Sequence, residues 1–107
     1  MVEYSAYLDC LFGSLADPIR RDILRRLMSA QFTVGQIAEA YDMSLAAIAK
    51  HINVLERAKL VHKQRRGKEQ VVSIQLEAIK DASRYLVQYE ALWNDRLDAL
   101  ETLLKEE

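Results

Sequence analysis

The fold is decided by residues 33–58, which run TVGQIAEAYDMSLAAIAKHINVLERA. Thr33 and Gln36 have the spacing of a capping box, in which each side chain satisfies a free backbone N–H at the start of a helix. After a tight break, Ser44 is a suitable N-cap for a second helix that runs to about Ala58. Two capped helices joined by a tight turn have the spacing of a helix-turn-helix, whose second helix can lie in the major groove of DNA.

The second of these helices has a core-facing side and an outward side. Ile48, Ile52 and Leu55 follow the helical period and form its core stripe. The outward residues that we predict to contact DNA bases are Leu45, Ala46, Ala49, Lys50 and Asn53. Polar side chains on such a face hydrogen-bond to base edges, and apolar ones suit the methyl groups of thymine.

A cationic hairpin follows the second helix. Residues 60–65 and 70–75 have the composition of two strands, and Gly67 lies in the turn between them, where it is free to take a positive φ. The residues that we predict to contact the DNA backbone are Ser44 and His51, together with Arg65, Arg66 and Lys68 at the hairpin tip. For His51, the alternative is a packed, hydrogen-bonded histidine.

A single long helix is predicted at the end of the sequence. Residues 77–107 contain no Gly or Pro, and as one helix these 31 residues would be about 46 Å long. A helix of that length extends beyond a domain of this size, so its distal half needs another surface. A second copy of the chain is the simplest partner. The alternative is a helix that folds back and packs internally.

Charge is unevenly distributed along the chain. The net charge is -1 overall, but residues 18–84 carry +6, whereas residues 1–17 carry -3 and residues 85–107 carry -4. A basic middle suits an anionic partner, and acidic ends suit a partner of another kind. The alternative is chance placement of solvated charge.

The composition describes one domain that is mainly helical, with a small β-hairpin. The 107 residues are 50% hydrophobic and 29% charged, with three glycines and one proline. These values exclude a disordered chain and a barrel of many short strands. Without a long apolar run, a secretory signal or paired cysteines, we expect a cytoplasmic protein with no membrane partner. We expect no enzyme, because no nucleophile–base pair or phosphate-binding glycine loop has a recognisable spacing.

Several stretches together resemble the ArsR family of winged helix-turn-helix repressors. They are residues 14–24 (SLADPIRRDIL), residues 33–38 (TVGQIA), residues 44–55 with Lys50-His51-Ile52, and residues 58–61 (AKLV). The resemblance implies one winged helix-turn-helix domain over residues 1–107, with the helix-turn-helix at 33–58 and the wing at 60–76. It also implies a homodimeric repressor that binds double-stranded DNA at a near-palindromic operator, with half-sites about 34 Å apart.

The resemblance places the homodimer interface on the first and last helices, residues 1–17 and 77–107. The residues expected there are Tyr7, Leu8, Leu11, Tyr89, Trp93, Leu97, Leu100 and Leu104. The positions that depart from the family pattern are Asp42 and Lys59, where Gly is usual, Ala46, where Pro is frequent, and Ala49, where Ser is frequent. We expect a small strain at Asp42, because the turn there would be left-handed.

No metal site and no cofactor are expected. Metal-sensing members of the family use paired cysteines before the recognition helix or Asp and His on the last helix, but residues 35–42 lack Cys and His and the last helix lacks His. Cys10, His51 and His62 are dispersed, whereas such sites need three or four converging ligands. We therefore predict a member of the non-metal-sensing branch. Cys10 is expected to be a small buried residue; the alternative is a thiol that faces its twin and forms a disulfide on oxidation.

The competing interpretation is a winged-helix protein-interaction or dimerisation module without specific DNA binding. The apolar outward residues Leu45, Ala46 and Ala49 favour it. The two interpretations differ in the role of Lys50 and the hairpin tip. Loss of these charges abolishes DNA affinity in a repressor and changes little in an interaction module.

Overall fold

A computed structural model describes residues 2–106 and the side chains of residues 6–106, so Met1 and Glu107, at the ends of our domain bounds, lie outside it. The elements in chain order are α1 (Val2–Ser14), α2 (Pro18–Leu27), β1 (Phe32–Thr33), α3 (Val34–Glu39), α4 (Leu45–Arg57), β2 (Val61–Arg66), β3 (Glu69–Ile74) and α5 (Leu76–Glu106). The three strands form an antiparallel sheet in the order β1-β3-β2. The prediction of a mainly helical winged helix-turn-helix with a long C-terminal helix is confirmed.

Local signals in the sequence set the starts of three helices. Asp17 caps α2 and Ser44 caps α4, each by accepting a hydrogen bond from the backbone N–H three residues further on. Thr33 and Gln36 form the predicted capping box of α3. Each cap satisfies N–H groups that would otherwise lack a partner, and the helix-turn-helix therefore begins where the sequence predicts.

The sheet contains one strand that the sequence did not predict. In β1, Phe32 and Thr33 pair with Val72 and Val71 of β3. Two residues are too few to display the alternation by which a strand is recognised in a sequence. β1 leads directly into α3, so this pairing fixes the wing against the helix-turn-helix.

The core lies between the helices and the sheet. Its large, fully buried apolar side chains are Leu11, Ile23, Ile37, Ile48, Ile52, Leu55, Leu60, Val61 and Val72. Leu11 is 0% exposed and Leu8 is 7% exposed within this one chain. The assignment of these two residues to a dimer interface is therefore corrected, because they belong to the core. Helical spacing identifies an apolar side of α1 but not the surface that covers it.

Left-handed backbone occurs at the end of α4 rather than at Asp42. Among the non-glycine residues that the structure describes, only Lys59 has a positive φ, of 61°. It ends α4 in a Schellman arrangement: the N–H of Lys59 donates to the carbonyl oxygen of Glu56 at 2.9 Å, and the N–H of Leu60 donates to that of Leu55 at 3.0 Å. The expectation of strain at Asp42 is therefore wrong.

Lys59→Gly is expected to raise the free energy of unfolding by about 1 kcal/mol. Glycine has no Cβ and takes a positive φ without steric cost, which outweighs the extra entropy that it loses on folding. Chemical denaturation at a fixed protein concentration measures the change. Lys80→Gly, at an exposed position inside α5, is the control and should lower the same free energy by about 1 kcal/mol. A decrease in both variants would contradict the strain at Lys59.

The last helix continues without a break far beyond the core. α5 has 31 residues, and the long axis of the chain is 69 Å. The radius of gyration is 18.8 Å, against about 13 Å for a compact chain of this length. Every described residue from Leu86 onward is exposed, so the alternative in which the helix folds back is wrong. No helix in the described part of the chain is apolar over the length needed to cross a membrane.

Candidate nucleic-acid interface

α4 has one accessible side, and the opposite side is packed into the core. All five residues predicted to contact bases lie on the accessible side, with Leu45, Ala46, Lys50 and Asn53 exposed and Ala49 half-buried. Leu45 is 59% exposed although it is apolar. The N-cap Ser44 is exposed at the start of the same helix. A major groove accepts one helix and contacts its outward side chains, and this side of α4 meets that requirement.

The wing ends in a tight, positively charged turn. β2 and β3 pair as far as Arg66 and Glu69, and Gly67 closes the turn with a φ of 64°, as predicted. Arg65, Arg66 and Lys68 are all exposed. The Arg65 side chain donates to the carbonyl oxygen of Gly67 at 3.2 Å. Three positive charges therefore lie together at the end of the hairpin.

The accessible side of α4 and the wing line a common groove. Leu45, Ala49 and Asn53 of the helix and Lys63 and Lys68 of the wing border a space of about 390 Å³. The structure thus brings predicted base-contact residues next to a predicted backbone-contact residue from the hairpin.

Lys63 is a residue of this groove that the sequence analysis missed. Its ammonium group donates to the side-chain oxygen of Asn53 at 2.5 Å. A signal was present, since side chains alternate along a strand and Lys63 lies two residues after Val61. Val61 is buried against the core, so Lys63 shares the side of β2 that faces the helix.

His51 lies where α4 contacts α2. Its Nδ1 atom is 3.3 Å from the guanidinium group of Arg20 and 3.9 Å from a carboxylate oxygen of Asp17. Arg20 also donates to the carbonyl oxygens of Gly13 and Ser14 at the end of α1. The hydrogen bond that the backbone N–H of Arg20 donates to Asp17 is the main reason why the pKa of Asp17 is below its ordinary value. His51 is therefore the packed histidine of the alternative interpretation, and a phosphate contact through its other ring nitrogen stays a prediction.

A second polar cluster holds α2 against the turn before α4. The Tyr41 hydroxyl donates to Asp22 at 2.5 Å, and Arg26 donates to the same oxygen at 3.0 Å. Hydrogen bonds from Tyr41, Arg25 and Arg26 hold the pKa of Asp22 well below its usual range, while burial is the main cause that raises the pKa of Tyr41. The Arg26 guanidinium group also lies 5.3 Å from the centre of the Tyr41 ring. These contacts fix the turn of the helix-turn-helix relative to α2.

The remaining predicted dimer residues lie in two different surroundings. Tyr7 is half-buried, and its hydroxyl donates to Asp81 of α5 at 2.8 Å. The other five residues lie on the distal half of α5, and each is 45–67% exposed: Tyr89, Trp93, Leu97, Leu100 and Leu104. This apolar stripe is uncovered within a single chain.

Cysteine and potential metal ligands are dispersed. Cys10 is exposed on α1, so the expectation of a buried thiol is wrong. Within residues 2–106, no group of three or more His, Cys, Asp or Glu side chains is arranged to hold a metal ion. A disulfide between two subunits and the absence of metal sensing both stay predictions.

These features define a class of protein. A capped helix-turn-helix, an exposed second helix and a cationic hairpin beside it constitute a winged helix-turn-helix, a fold with which transcription regulators bind DNA.

Known proteins of this class are similar to the chain. Residues 15–64 match the helix-turn-helix domain family. The chain is 29% identical to the transcriptional repressor SdpR of Bacillus subtilis (strain 168) over 79 residues. This alignment covers 74% of the chain and 88% of SdpR. The crystal structure of the ArsR family transcriptional regulator RHA00566 is similar with a TM-score of 0.81 and 32% identity, over 85% of this chain and 94% of that one. An ArsR-like transcriptional regulator from Rhodococcus sp. RHA1 has a TM-score of 0.79 and 30% identity, over 94% and 95% of the two chains. The chain therefore belongs to the ArsR family of helix-turn-helix transcriptional regulators.

Proposed function

We propose that the protein is a homodimeric transcriptional repressor that places α4 of each subunit in the major groove of a near-palindromic operator. The observation that carries the proposal is the groove in which Leu45 and Asn53 of α4 lie beside Lys63 and Lys68 of the wing. A helix in the major groove brings an adjacent hairpin to the phosphate backbone or to the neighbouring minor groove. The residues proposed to contact bases are Leu45, Ala46, Ala49, Lys50 and Asn53.

Contacts with phosphate groups complete the proposed interface. The N-terminus of α4 carries a partial positive charge and free N–H groups, which suit a phosphate next to Ser44. The residues proposed to contact the DNA backbone are Ser44, His51, Arg65, Arg66 and Lys68. Such contacts supply much of the affinity and fix the register on the duplex, but they do not distinguish one sequence from another.

The distal half of α5 is proposed to bind a second copy of the chain. Residues 85–107 carry a net charge of -4, which DNA phosphates would repel. Their large apolar side chains are exposed, and an apolar surface of this extent is unfavourable in water. Pairing about a twofold axis covers the same stripe on both copies, with Tyr89, Trp93, Leu97, Leu100 and Leu104 at the interface. The two α4 helices would then enter successive major grooves, about 34 Å apart.

Repression is proposed because SdpR, similar over most of its length, is a transcriptional repressor. The similar proteins are transcriptional regulators. We therefore propose that the protein catalyses no reaction, needs no cofactor and acts in the cytoplasm. We also propose that no transition metal controls DNA binding. Titration calorimetry of the reduced protein with Zn²⁺ tests the last point, and a tight stoichiometric site would contradict it.

Fluorescence anisotropy tests the proposed function. The probes are a labelled duplex from upstream of the protein's own gene and a scrambled duplex, each over a series of salt concentrations, with selection from randomised duplexes as a second source of operator. We expect specific binding roughly 1,000-fold tighter than binding to the scrambled duplex, with a steep fall in affinity as salt rises. Weak binding that is equal for all duplexes would contradict the proposal and favour an interaction module that uses the exposed Leu45 side of α4.

A further inference from the structure

Lys63 of β2 joins the wing to the accessible side of α4. Its ammonium group donates to Oδ1 of Asn53 at 2.5 Å and lies 3.5 Å from a carboxylate oxygen of Glu56. The backbone N–H of Lys63 donates to the other carboxylate oxygen of Glu56 at 3.3 Å. The Lys63 side chain is only 22% exposed, so protein contacts rather than solvent determine where its charge lies.

These contacts determine which end of the Asn53 amide is left for a ligand. An ammonium group only donates hydrogen bonds, so it faces the amide oxygen and not the amide NH₂ group. The wing thus holds the oxygen of Asn53, where the ammonium group takes one of the two lone pairs and its positive charge disfavours a second donor. The NH₂ group, which has two donors and no acceptor, is the end that Asn53 offers to a base on the exposed side of α4.

We propose that Lys63 is a specificity-determining residue that makes Asn53 recognise guanine rather than adenine. An unrestrained asparagine pairs with adenine through two hydrogen bonds, donating to N7 and accepting from the N6 amino group. With the Lys63 ammonium group bound at its oxygen, Asn53 presents its NH₂ donors to the base, and guanine offers two acceptors, N7 and O6. The N6 amino group of adenine would instead face another donor. The inference rests on the proposed function, because it requires α4 to lie in the major groove.

Lys63→Met tests the inference, since methionine keeps much of the side-chain length and removes the ammonium group. In the wild-type protein, guanine should be preferred over adenine by at least about fivefold at one position in each half-site. In Lys63→Met, the released oxygen of Asn53 should reverse this preference to adenine. Selection from randomised duplexes, followed by anisotropy on four duplexes that differ at this position, measures both preferences. Asn53→Ala should remove the preference with Lys63 present or replaced.

Two further variants separate base recognition from loss of charge or of structure. Lys80→Met removes the same charge from an exposed position on α5 and should leave the base preference unchanged. Glu56→Gln removes the carboxylate beside Lys63 but leaves the contact between Lys63 and Asn53 in place, so guanine should still be preferred. Thermal melts followed by circular dichroism verify that each variant is folded at the temperature of the binding assay.

Three results would overturn the inference. The first is a wild-type preference for adenine at the position that depends on Asn53, whatever the variants do. The second is a Lys63→Met protein that binds all four duplexes more weakly by one factor and still prefers guanine, because Lys63 would then only neutralise phosphate. The third is a wild-type protein that binds no duplex specifically; in that case the proposed function fails before any variant is compared, and the inference fails with it.

Discussion

Replacing Leu97 with Glu is expected to convert the dimer into a monomer and to weaken operator binding by at least about 100-fold. Leu97 lies midway along the exposed apolar stripe of α5, between Trp93 and Leu100, and is 45% exposed in a single chain. In a twofold interface the new carboxylate would lose its contact with water and would lie near the same carboxylate of the other subunit. Desolvation of both charges and the repulsion between them would destabilise the dimer. A monomer also loses the high effective concentration with which a dimer binds its second half-site.

Analytical ultracentrifugation measures the oligomeric state of Leu97→Glu, and anisotropy measures its affinity for a full operator and for one half-site. Gln88→Glu is the matched control, because it adds the same charge at an exposed position of the same helix, about 180° around the axis from Leu97. The control should be a dimer with wild-type affinity. Leu97 lies outside the core, so circular dichroism should find both variants folded. A Leu97→Glu protein that is still dimeric and binds normally would contradict an interface on α5.

Much of this fold is predictable because its signals are local. Asp17, Thr33 and Ser44 each accept a hydrogen bond from an N–H three residues away, so both halves of each contact stand together in the sequence. Gly67 indicates the wing turn in the same way, because a positive φ favours glycine. The predicted starts of α3 and α4 and the position of the hairpin therefore agree with the structure.

The features that the sequence analysis missed depend on contacts between distant parts of the chain. Helical spacing places Leu8 and Leu11 on the apolar side of α1. It does not tell whether that side packs against the chain's own core or against a second subunit. Lys63 is ten residues from Asn53 and in a different element, so nothing near it in the sequence names its partner. The conformation of Lys59 follows from the path that the chain takes from α4 into β2, which becomes visible only when both elements are placed.

Replacing the two wing arginines with glutamine is expected to flatten the salt dependence of operator binding. Arg65 and Arg66 are exposed at the end of β2, and a dimer presents both residues on each of its two wings. Each phosphate that a protein neutralises contributes about 0.9 to the slope of log K against log salt. The slope should therefore fall by about 3 to 4, and affinity at 0.1 M salt should fall by on the order of 1,000-fold, if binding at 1 M is unchanged.

Lys80→Gln with Arg84→Gln is the matched control, because it removes two positive charges from exposed positions on α5 and should leave the slope unchanged. Phosphate contacts carry no sequence information, so the wing variant should keep its base preference. It should also lose affinity for the operator and for a scrambled duplex by similar factors. An unchanged slope in the wing variant would mean that the tip does not contact phosphate. The exposed apolar side of α4 would then favour the interaction module, in which charges at the hairpin tip have little effect.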